Sequence, residues 1–316
     1  MTRVTLLAGG VGGAKLAEGL AEIPEITLTV IGNVADDEEF HGLWVSPDID
    51  TMLYTLSDRV NRDQGWGLAD EGNRALEMLN CLGADTWMFL GDRDFGLHIY
   101  RTERLRRGDR PSDILADIVS KFDINSKILL PTEAKVQTRV FTDCGWLSFQ
   151  EYFVKERCKP DVLELRYDGL ESSKITPQAE QALKEAELIV IAPSNPLVSI
   201  LPILKIPGFY TALQETTAYI LAVSPLISGK ALKGPADRML TSLKYRADSV
   251  GVAHFYEDIA GYFLMDCSDR DLSGEVSKLG MIPYTTDILM PDLAGKVRLA
   301  HEILAIYKNE SRMDSK

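Results

Sequence analysis

The sequence predicts an α/β fold in which helices cover both faces of a parallel sheet. Short apolar runs alternate with helical patterns along the chain, which is typical of parallel strands buried on both faces. The first run leads into four glycines within five positions, Gly9 to Gly13, and then into a helical pattern. This order of strand, glycine turn and helix is Rossmann-like. We therefore predict one Rossmann-like domain over residues 1–316, with a mixed helical and antiparallel insertion at roughly 50–170.

The individual elements follow from the same patterns. Strands are predicted where apolar residues run continuously, at Val4–Ala8, Thr27–Ile31, Glu187–Ala192 and Tyr219–Val223. Helices are predicted from about Gly13, over Pro177–Glu185 and around Ala294–Tyr307, the last followed by a frayed polar tail. Between them, Asp48–Ser120 is mostly helical in pattern and Lys127–Tyr167 resembles short antiparallel strands. We expect this middle region to lie over one edge of the sheet.

Composition excludes several classes of protein. Lys and Arg number 34 against 47 Asp and Glu, and the net charge of −13 argues against nucleic-acid binding. No apolar stretch approaches the roughly 20 residues of a membrane span, and the chain begins with a strand pattern rather than a signal peptide. We therefore expect a cytoplasmic protein without a membrane partner. The four cysteines lack metal-binding spacing and are expected to be free thiols.

The glycine cluster predicts a phosphate-binding loop. Glycines between a strand and a helix let the backbone approach a phosphate, and the helix N-terminus adds unpaired N–H groups. The loop is not a Walker A motif, because Leu16 follows Lys15 where Ser or Thr is required. Lys15 also stands where a dinucleotide fingerprint has its third glycine. A tight structural turn without a ligand is the alternative, and the motif by itself names no ligand.

Two acidic clusters follow the glycine loop. Asp36 and Asp37 lie beyond the second strand, and Asp48 and Asp50 follow shortly after. Carboxylates beside a phosphate need a cation between them, and Mg²⁺ commonly binds one or two carboxylates plus phosphate oxygens. The combination predicts metal-assisted phosphoryl chemistry on a diphosphate. The alternative, a helix start at Ser46-Pro47-Asp48, explains Asp48 well but Asp50 less well.

Six sequence blocks, in order along the chain, resemble one known family. They are L-A-G-G-V-G-G-A-K (7–15), G-N-V-A-D-D (32–37), S-P-D-I-D-T-M-L-Y-T-L (46–56), L-G-D-R-D (90–94), A-P-S-N-P (192–196) and S-P-L-I-S-G-K-A-L-K-G-P-A (224–236). The sequence resembles the 2-phospho-L-lactate transferases, called phosphoenolpyruvate transferases in bacteria, of deazaflavin coenzyme (F-420) biosynthesis. The resemblance runs from residue 5 to about 300.

The resemblance implies a specific reaction. A guanosine-diphosphate-activated phospholactate or enolpyruvyl phosphate is attacked by the ribityl hydroxyl of 7,8-didemethyl-8-hydroxy-5-deazariboflavin, and GMP leaves. The family is Mg²⁺-dependent and homodimeric, and its enzymes are phosphotransferases for substituted phosphate groups. Which three-carbon acid the donor carries is left open by the sequence.

The resemblance also assigns roles to residues. Asp37, Asp48 and Asp50 are expected to hold Mg²⁺, and Asp37 and Asp50 are the candidate catalytic residues. The deazaflavin is expected to contact Asp50, Phe89, Asp92 and Arg93. Phe89 stands where some relatives have a lysine, and its ring is suited to stacking. The nucleotide is expected to contact Gly10, Gly12, Gly13, Lys15, Ser194, Asn195 and Pro196.

Two other functions remain as alternatives. A nicotinamide-dependent oxidoreductase would have an acid near the end of the second strand to bind a ribose, but Asn33 stands there. A non-catalytic nucleotide-sugar binder of the gluconeogenesis-factor type would share the fold and the glycine loop. The blocks that contain Asp50, Asp92 and Ser194 favour the transferase. His98 lies in a helical pattern and is not predicted to belong to the site, whereas Trp66 is a candidate to line a pocket for a flat ring.

Overall fold

The computed structural model describes residues 1–314. Its strands are β1 Thr2–Ala8, β2 Ile26–Gly32, β3 Glu38–Phe40, β4 Leu43–Val45, β5 Lys127–Leu129, β6 Gln137–Thr142, β7 Gly145–Ser148, β8 Glu164–Asp168, β9 Leu188–Ile191, β10 Tyr219–Val223, β11 Leu226–Ile227, β12 Lys230–Ala231, β13 Tyr262–Asp266 and β14 Ile282–Thr286. Its helices are α1 Gly10–Ala21, α2 Pro47–Leu56, α3 Arg74–Cys81, α4 Asp92–Arg106, α5 Pro111–Lys121, α6 Pro177–Glu185, α7 Leu201–Leu204, α8 Phe209–Glu215, α9 Ala236–Ser242, α10 Ser249–Ala253, α11 Ser273–Lys278 and α12 Leu293–Asp314.

The main sheet has seven parallel strands in the order β14-β13-β10-β9-β1-β2-β5. Successive side chains of each strand point to opposite faces, so Leu6 enters one hydrophobic core and Leu7 the other. Both faces are therefore covered, and the predicted Rossmann-like class is confirmed. The chain builds outward from β1 through β2 to β5, then returns to β9 and builds the other way. The strand order thus reverses between β1 and β9.

Several strands differ from the prediction. β5 pairs in parallel with β2 and forms the edge of the main sheet, so the prediction of antiparallel strands was wrong at this position. The antiparallel prediction is confirmed by β6, which pairs with β7 and β8. β13 and β14 were not predicted. β14 is half-exposed and contains Pro283, so it lacks the continuous apolar run of a central strand.

The predicted insertion contains both core and peripheral elements. α2 packs on α1 within the main core, while β3, β4, α3 and α4 surround a separate small cluster formed by Phe40, Val45, Leu76, Leu90 and Phe95. This satellite cluster lets the segment around α3 and α4 stand out from the sheet and form one wall of a cleft.

α12 closes one face of the sheet by packing against α1. A Cβ on Gly19 would lie 2.3 Å from the carbonyl oxygen of Lys296, so only glycine permits this approach of the two helices. The side chain of Lys296 is buried and forms an ion pair with buried Glu18. α12 continues to Asp314, so the predicted fraying is wrong up to that residue, and residues 315–316 lie outside the described part of the chain.

Within residues 1–314, no single helix is long and apolar enough to span a membrane. One bent pair, Pro196–Leu204 with Phe209–Glu215 at 79°, meets the criteria by length and composition alone.

Candidate functional site

A cleft of about 620 Å³ lies beside the glycine loop, at the carboxyl ends of the parallel strands. Its position matches the reversal of strand order between β1 and β9, which is where open α/β sheets bind ligands. A second cavity of about 690 Å³ lies between α2, α4 and α5. Among the described residues, its lining includes no part of the glycine loop. We therefore regard the switch-point cleft as the candidate site, despite its slightly smaller volume.

The glycine loop is shaped by its contact with the turn after β9. A Cβ on Gly12 would lie 2.3 Å from the carbonyl oxygen of Pro193, and one on Gly13 would lie 2.8 Å from the Cβ of Ala8. The hydroxyl of Ser194 donates to the carbonyl of Gly9 at 2.7 Å and accepts from its N–H at 3.3 Å. Gly12 is thus required for packing against the turn after β9 and Gly13 for packing against the end of β1, as the structural alternative predicts.

Other features of the same loop face the cleft. Gly10 has a φ of +62°, and a Cβ there would meet nothing within 4 Å. The carboxylate of Asp48 accepts a hydrogen bond from the backbone N–H of Gly10, the first residue of α1, whereas the N-cap residue Gly9 has no capping side chain. The next N–H groups of the first turn, beyond Gly10, remain available to a ligand, which packing alone does not explain.

Two lysines line the cleft near this helix start. Lys15 donates to the carbonyl of Met290 at 2.9 Å, and burial, followed by the charges of Lys233 and Lys296, lowers its pKa. Lys233 donates to the carbonyl of Gln64 at 2.7 Å. Both ammonium groups bond neutral carbonyls, so their charges are not neutralised by these contacts.

Of the nucleotide contacts predicted after β9, Ser194 and Asn195 line the cleft. Pro196 instead begins a short π-helical turn, and the side chain of Asn195 caps that turn by accepting from the N–H of Leu197 at 3.0 Å. Gly13 faces the sheet rather than the cleft. The predicted nucleotide contacts of Pro196 and Gly13 are therefore not supported by this geometry.

The buried carboxylates beside the glycine loop are Asp36 and Asp48. Asp48 Oδ2 accepts from the side-chain nitrogen of Asn33 at 2.9 Å, and burial raises the pKa of Asp48 to about 6. Burial, followed by the charge of Asp48, raises the pKa of Asp36 well above its usual range. Within residues 1–314, Oδ1 of Asp36 is buried without a hydrogen-bond partner. Ionisation of both carboxyl groups is therefore unfavourable, and a cation bound between them would offset that cost.

The predicted metal-ligand set is not brought together. Asp37 does not line the cleft; its Oδ2 accepts from the hydroxyl of Ser46 at 2.7 Å and the indole N–H of Trp44 at 3.2 Å, and its Oδ1 is buried without a hydrogen-bond partner within residues 1–314. Asp50 forms a buried ion pair with Arg101. Over the described range 1–314, no group of three or more His, Cys, Asp or Glu side chains is arranged to hold a metal ion. Asp37, Asp48 and Asp50 thus each have a different hydrogen-bond or ion-pair partner.

The wall opposite the glycine loop is formed by α2 and α4. Asp50 and Tyr54 project from α2, one turn apart, and Asp94, His98 and Arg101 project from one face of α4. The hydroxyl of Tyr54 donates to Asp94, whose pKa is raised to about 6 by burial. Asp50 also accepts from the N–H of Ser46 at 3.3 Å, a helix-start contact that the helix-start alternative did not assign to Asp50. Sequence reasoning placed the charged block that ends at Asp94 near the acceptor but missed His98 and Arg101, although the i, i+4, i+7 spacing of the three residues was a usable signal.

Aromatic side chains form the rim of the cleft. Phe89 and Trp66 line it with 47% and 46% of their surface exposed, and Phe153 lies nearby. These positions support the predictions that Phe89 and Trp66 line a site for a flat ring. Asp92 instead accepts from the N–H groups of Ala75 and Arg74, which start α3.

Arg93 also lies elsewhere. It donates to the carbonyl of Ala69 at 3.0 Å and lines the second cavity. The predicted contacts of Asp92 and Arg93 with the acceptor are therefore not supported.

Fold and cleft together define a class. The chain is a Rossmann-like α/β protein with a glycine loop, buried carboxylates and an aromatic rim at the topological switch point. Residues 4–290 match the model of the family described as 2-phospho-L-lactate transferase CofD, and the chain belongs to that family. The resemblance seen in the sequence is thus confirmed.

Relatives with curated names cover nearly the full length. The 2-phospho-L-lactate transferase of Methanopyrus kandleri is 37% identical, with 97% of this chain and 98% of the relative covered. That of Methanococcoides burtonii is 34% identical, with 96% and 99% covered. The phosphoenolpyruvate transferase of Streptomyces coelicolor is 33% identical, with 96% and 98% covered.

A solved structure supports the fold. A upf0052-family protein from Bacillus halodurans superposes with a TM-score of 0.64 at 16% identity, covering 96% of this chain and 100% of that protein. At this level of identity the likeness concerns the fold alone.

Proposed function

We propose that this protein transfers a phospholactyl or enolpyruvyl-phosphoryl group from a guanosine-diphosphate-activated donor to 7,8-didemethyl-8-hydroxy-5-deazariboflavin. The terminal ribityl oxygen bonds to the phosphorus that carries the three-carbon acid. The bond from that phosphorus to the GMP oxygen breaks, and GMP leaves. The hydroxyl proton passes to a buried carboxylate, and the product is the phosphodiester of the coenzyme F-420 precursor.

One observation carries the proposal: a single cleft is lined by the glycine loop, two buried carboxyl groups and an aromatic rim. A diphosphate donor and a flat-ring acceptor both need to reach one reaction centre. The names of the relatives supply the reaction type, and the cleft offers a surface suited to each substrate.

The donor is held by the glycine loop side of the cleft. N–H groups in the first turn of α1, beyond Gly10, bind the diphosphate oxygens, and Lys15 and Lys233 supply positive charge. Ser194 and Asn195 lie in the same wall and contact the nucleotide. These groups hold the donor in place while the acceptor hydroxyl approaches, which lowers the entropic part of the barrier.

Asp36 and Asp48 are the residues that would hold Mg²⁺. The fit rests on Oδ1 of Asp36, which is buried without a partner in the described chain, and on the proximity of the two carboxylates. When bound, the ion would stabilise the negative charge of the transferring phosphoryl group. In this proposal the metal ligands are Asp36 and Asp48, rather than Asp37, Asp48 and Asp50. Asp50 contacts the acceptor.

The test uses the full-length protein with GDP and Mg²⁺, each alone and together. We expect the two ligands to raise the melting temperature more together than separately. At saturating ligand, binding should stabilise the folded state by roughly a few kcal/mol. Incubation with the deazaflavin and each activated donor, followed by product mass measurement, then identifies the acid that is transferred. A melting shift with NADH or UDP-sugars but none with GDP would refute the transferase proposal in favour of an alternative function. The expected homodimer is checked by light scattering.

A further inference from the structure

His98 is a buried histidine in the α2–α4 wall of the cleft, and none of the roles proposed above uses it. Its side chain is 2% exposed, and it lies on the same face of α4 as Asp94 and Arg101. Arg101 binds Asp50 through both terminal nitrogens of its guanidinium, with Nη1 at 3.1 Å from Oδ2. The orientation of the imidazole is therefore set by groups that are themselves fixed.

The hydrogen bonds of the ring determine where its proton lies. His98 Nδ1 is 3.4 Å from Nη1 of Arg101, and a guanidinium can only donate. Nδ1 therefore accepts, and the proton of the neutral ring is on Nε2. Nδ1 is also 3.7 Å from Asp50, which is too long for a hydrogen bond. Burial lowers the pKa of His98 to about 4, so the ring is neutral near pH 7.

Nε2 has no acceptor within the described residues 1–314. Nε2 is not among the fully buried side-chain atoms that lack a hydrogen-bond partner, so it retains some accessible surface. His98 lines the cleft. The N–H group therefore opens onto the cleft as an unused donor. It is unsuited to act as a base, because Nε2 already carries the proton and Arg101 blocks Nδ1.

The surroundings restrict what this donor binds. Asp50 and Asp94 line the same wall, and their carboxylates disfavour a phosphate or carboxylate oxygen beside them. A neutral carbonyl oxygen remains favourable. A donor next to carboxylate acceptors complements a ring edge on which C=O and N–H alternate, as in a cyclic imide.

We propose that the Nε2–H group of His98 is a specificity-determining donor that binds a ring carbonyl on the imide edge of the acceptor. The inference rests on the proposed function, since it assumes that the acceptor is a deazaflavin. It places the ring edge against the α2–α4 wall and leaves the ribityl chain to extend toward the glycine loop. His98 then selects acceptors that carry a carbonyl at this edge.

The test compares His98→Asn with His98→Gln. The Asn oxygen can keep the contact with Arg101 at the position of Nδ1 but offers no donor at the position of Nε2, whereas the Gln amide reaches that position. Affinity for the deazaflavin is measured without donor by quenching of its fluorescence, and KM and kcat are measured for both substrates. We expect His98→Asn to weaken acceptor binding roughly 10- to 100-fold, with the donor KM unchanged, and His98→Gln to recover most of the loss.

Three outcomes would overturn the inference. If His98→Asn binds the acceptor as well as the wild type does, the Nε2–H group of His98 does not bind the acceptor. Equal losses for acceptor and GDP, or equal losses in both variants, indicate a structural role. Should His98→Asn not fold, the comparison moves to His98→Gln, where a loss of acceptor affinity above about 10-fold contradicts the proposal. A wild-type protein that does not bind the deazaflavin refutes the proposed function itself, and this inference with it.

Discussion

Gly12 offers the sharpest test of the contact between the glycine loop and the turn after β9. A Cβ at this position would lie 2.3 Å from the carbonyl oxygen of Pro193, well inside van der Waals contact. The neighbouring atom is backbone, so relief requires the two loops to move apart. Forced overpacking of this kind costs roughly 1–3 kcal/mol. We therefore expect Gly12→Ala to lose stability and to weaken GDP binding as well, because the displaced loop carries Ser194.

Gly96 provides the matched control. It also lies in a helix, and a Cβ there would meet nothing within 4 Å. Replacing a helical glycine by alanine gains about 1 kcal/mol of helix propensity at either position. The difference between the two variants therefore isolates the contact with Pro193. Urea unfolding should place Gly12→Ala about 1–3 kcal/mol below Gly96→Ala. Equal stability of the two variants would refute the predicted contact.

Three further predictions concern buried charge. Glu18→Gln leaves buried Lys296 without its carboxylate and should cost about 3–5 kcal/mol in urea unfolding, whereas exposed Glu22→Gln should change little. Burial raises the pKa of Asp94 from 3.8 to about 6, so the folded state holds this proton more tightly than the unfolded state does. The free energy of unfolding of the wild type should therefore decrease as the pH rises from about 4 to about 6. The stability of Asp94→Asn relative to the wild type should increase by about 3 kcal/mol between pH 4 and pH 7. A stability difference that does not change with pH would contradict this prediction. Asp50→Asn leaves Arg101 buried without its ion pair, so we expect kcat/KM for the acceptor to fall roughly 10²-fold and the melting temperature to drop. Normal turnover per folded molecule, with about 1 kcal/mol lost, would instead make Asp50 a helix-capping residue.

Local sequence signals were sufficient for the centre of the sheet. Continuous apolar runs located β1, β2, β9 and β10, and the last of these was predicted with its observed bounds, Tyr219–Val223. Each of these strands is buried on both faces, so its residues form a nearly continuous apolar run in the sequence. The edge strands β5 and β14 are short or half-exposed, and their membership of the sheet depends on a neighbouring strand from elsewhere in the chain.

Local sequence patterns did not predict which carboxylates after β2 line the cleft. Asp36 and Asp37 are adjacent and chemically identical, yet Asp36 lines the cleft while Asp37 bonds Ser46 and Trp44. Which of the two faces a ligand is decided by the path of the backbone after β2. No periodicity covers an irregular turn, so sequence reasoning chose Asp37.

By itself, the sequence determined the fold class and the family, because these depend on patterns and motifs formed by residues that are close together in the chain. The tertiary structure decided which side chains share the cleft. Asp50 meets Arg101 across 51 residues, and Gly9 meets Ser194 across 185. Such partners are fixed by the packing of whole helices and strands, and that packing also turned Asp92 and Arg93 away from the cleft and brought His98 into its wall.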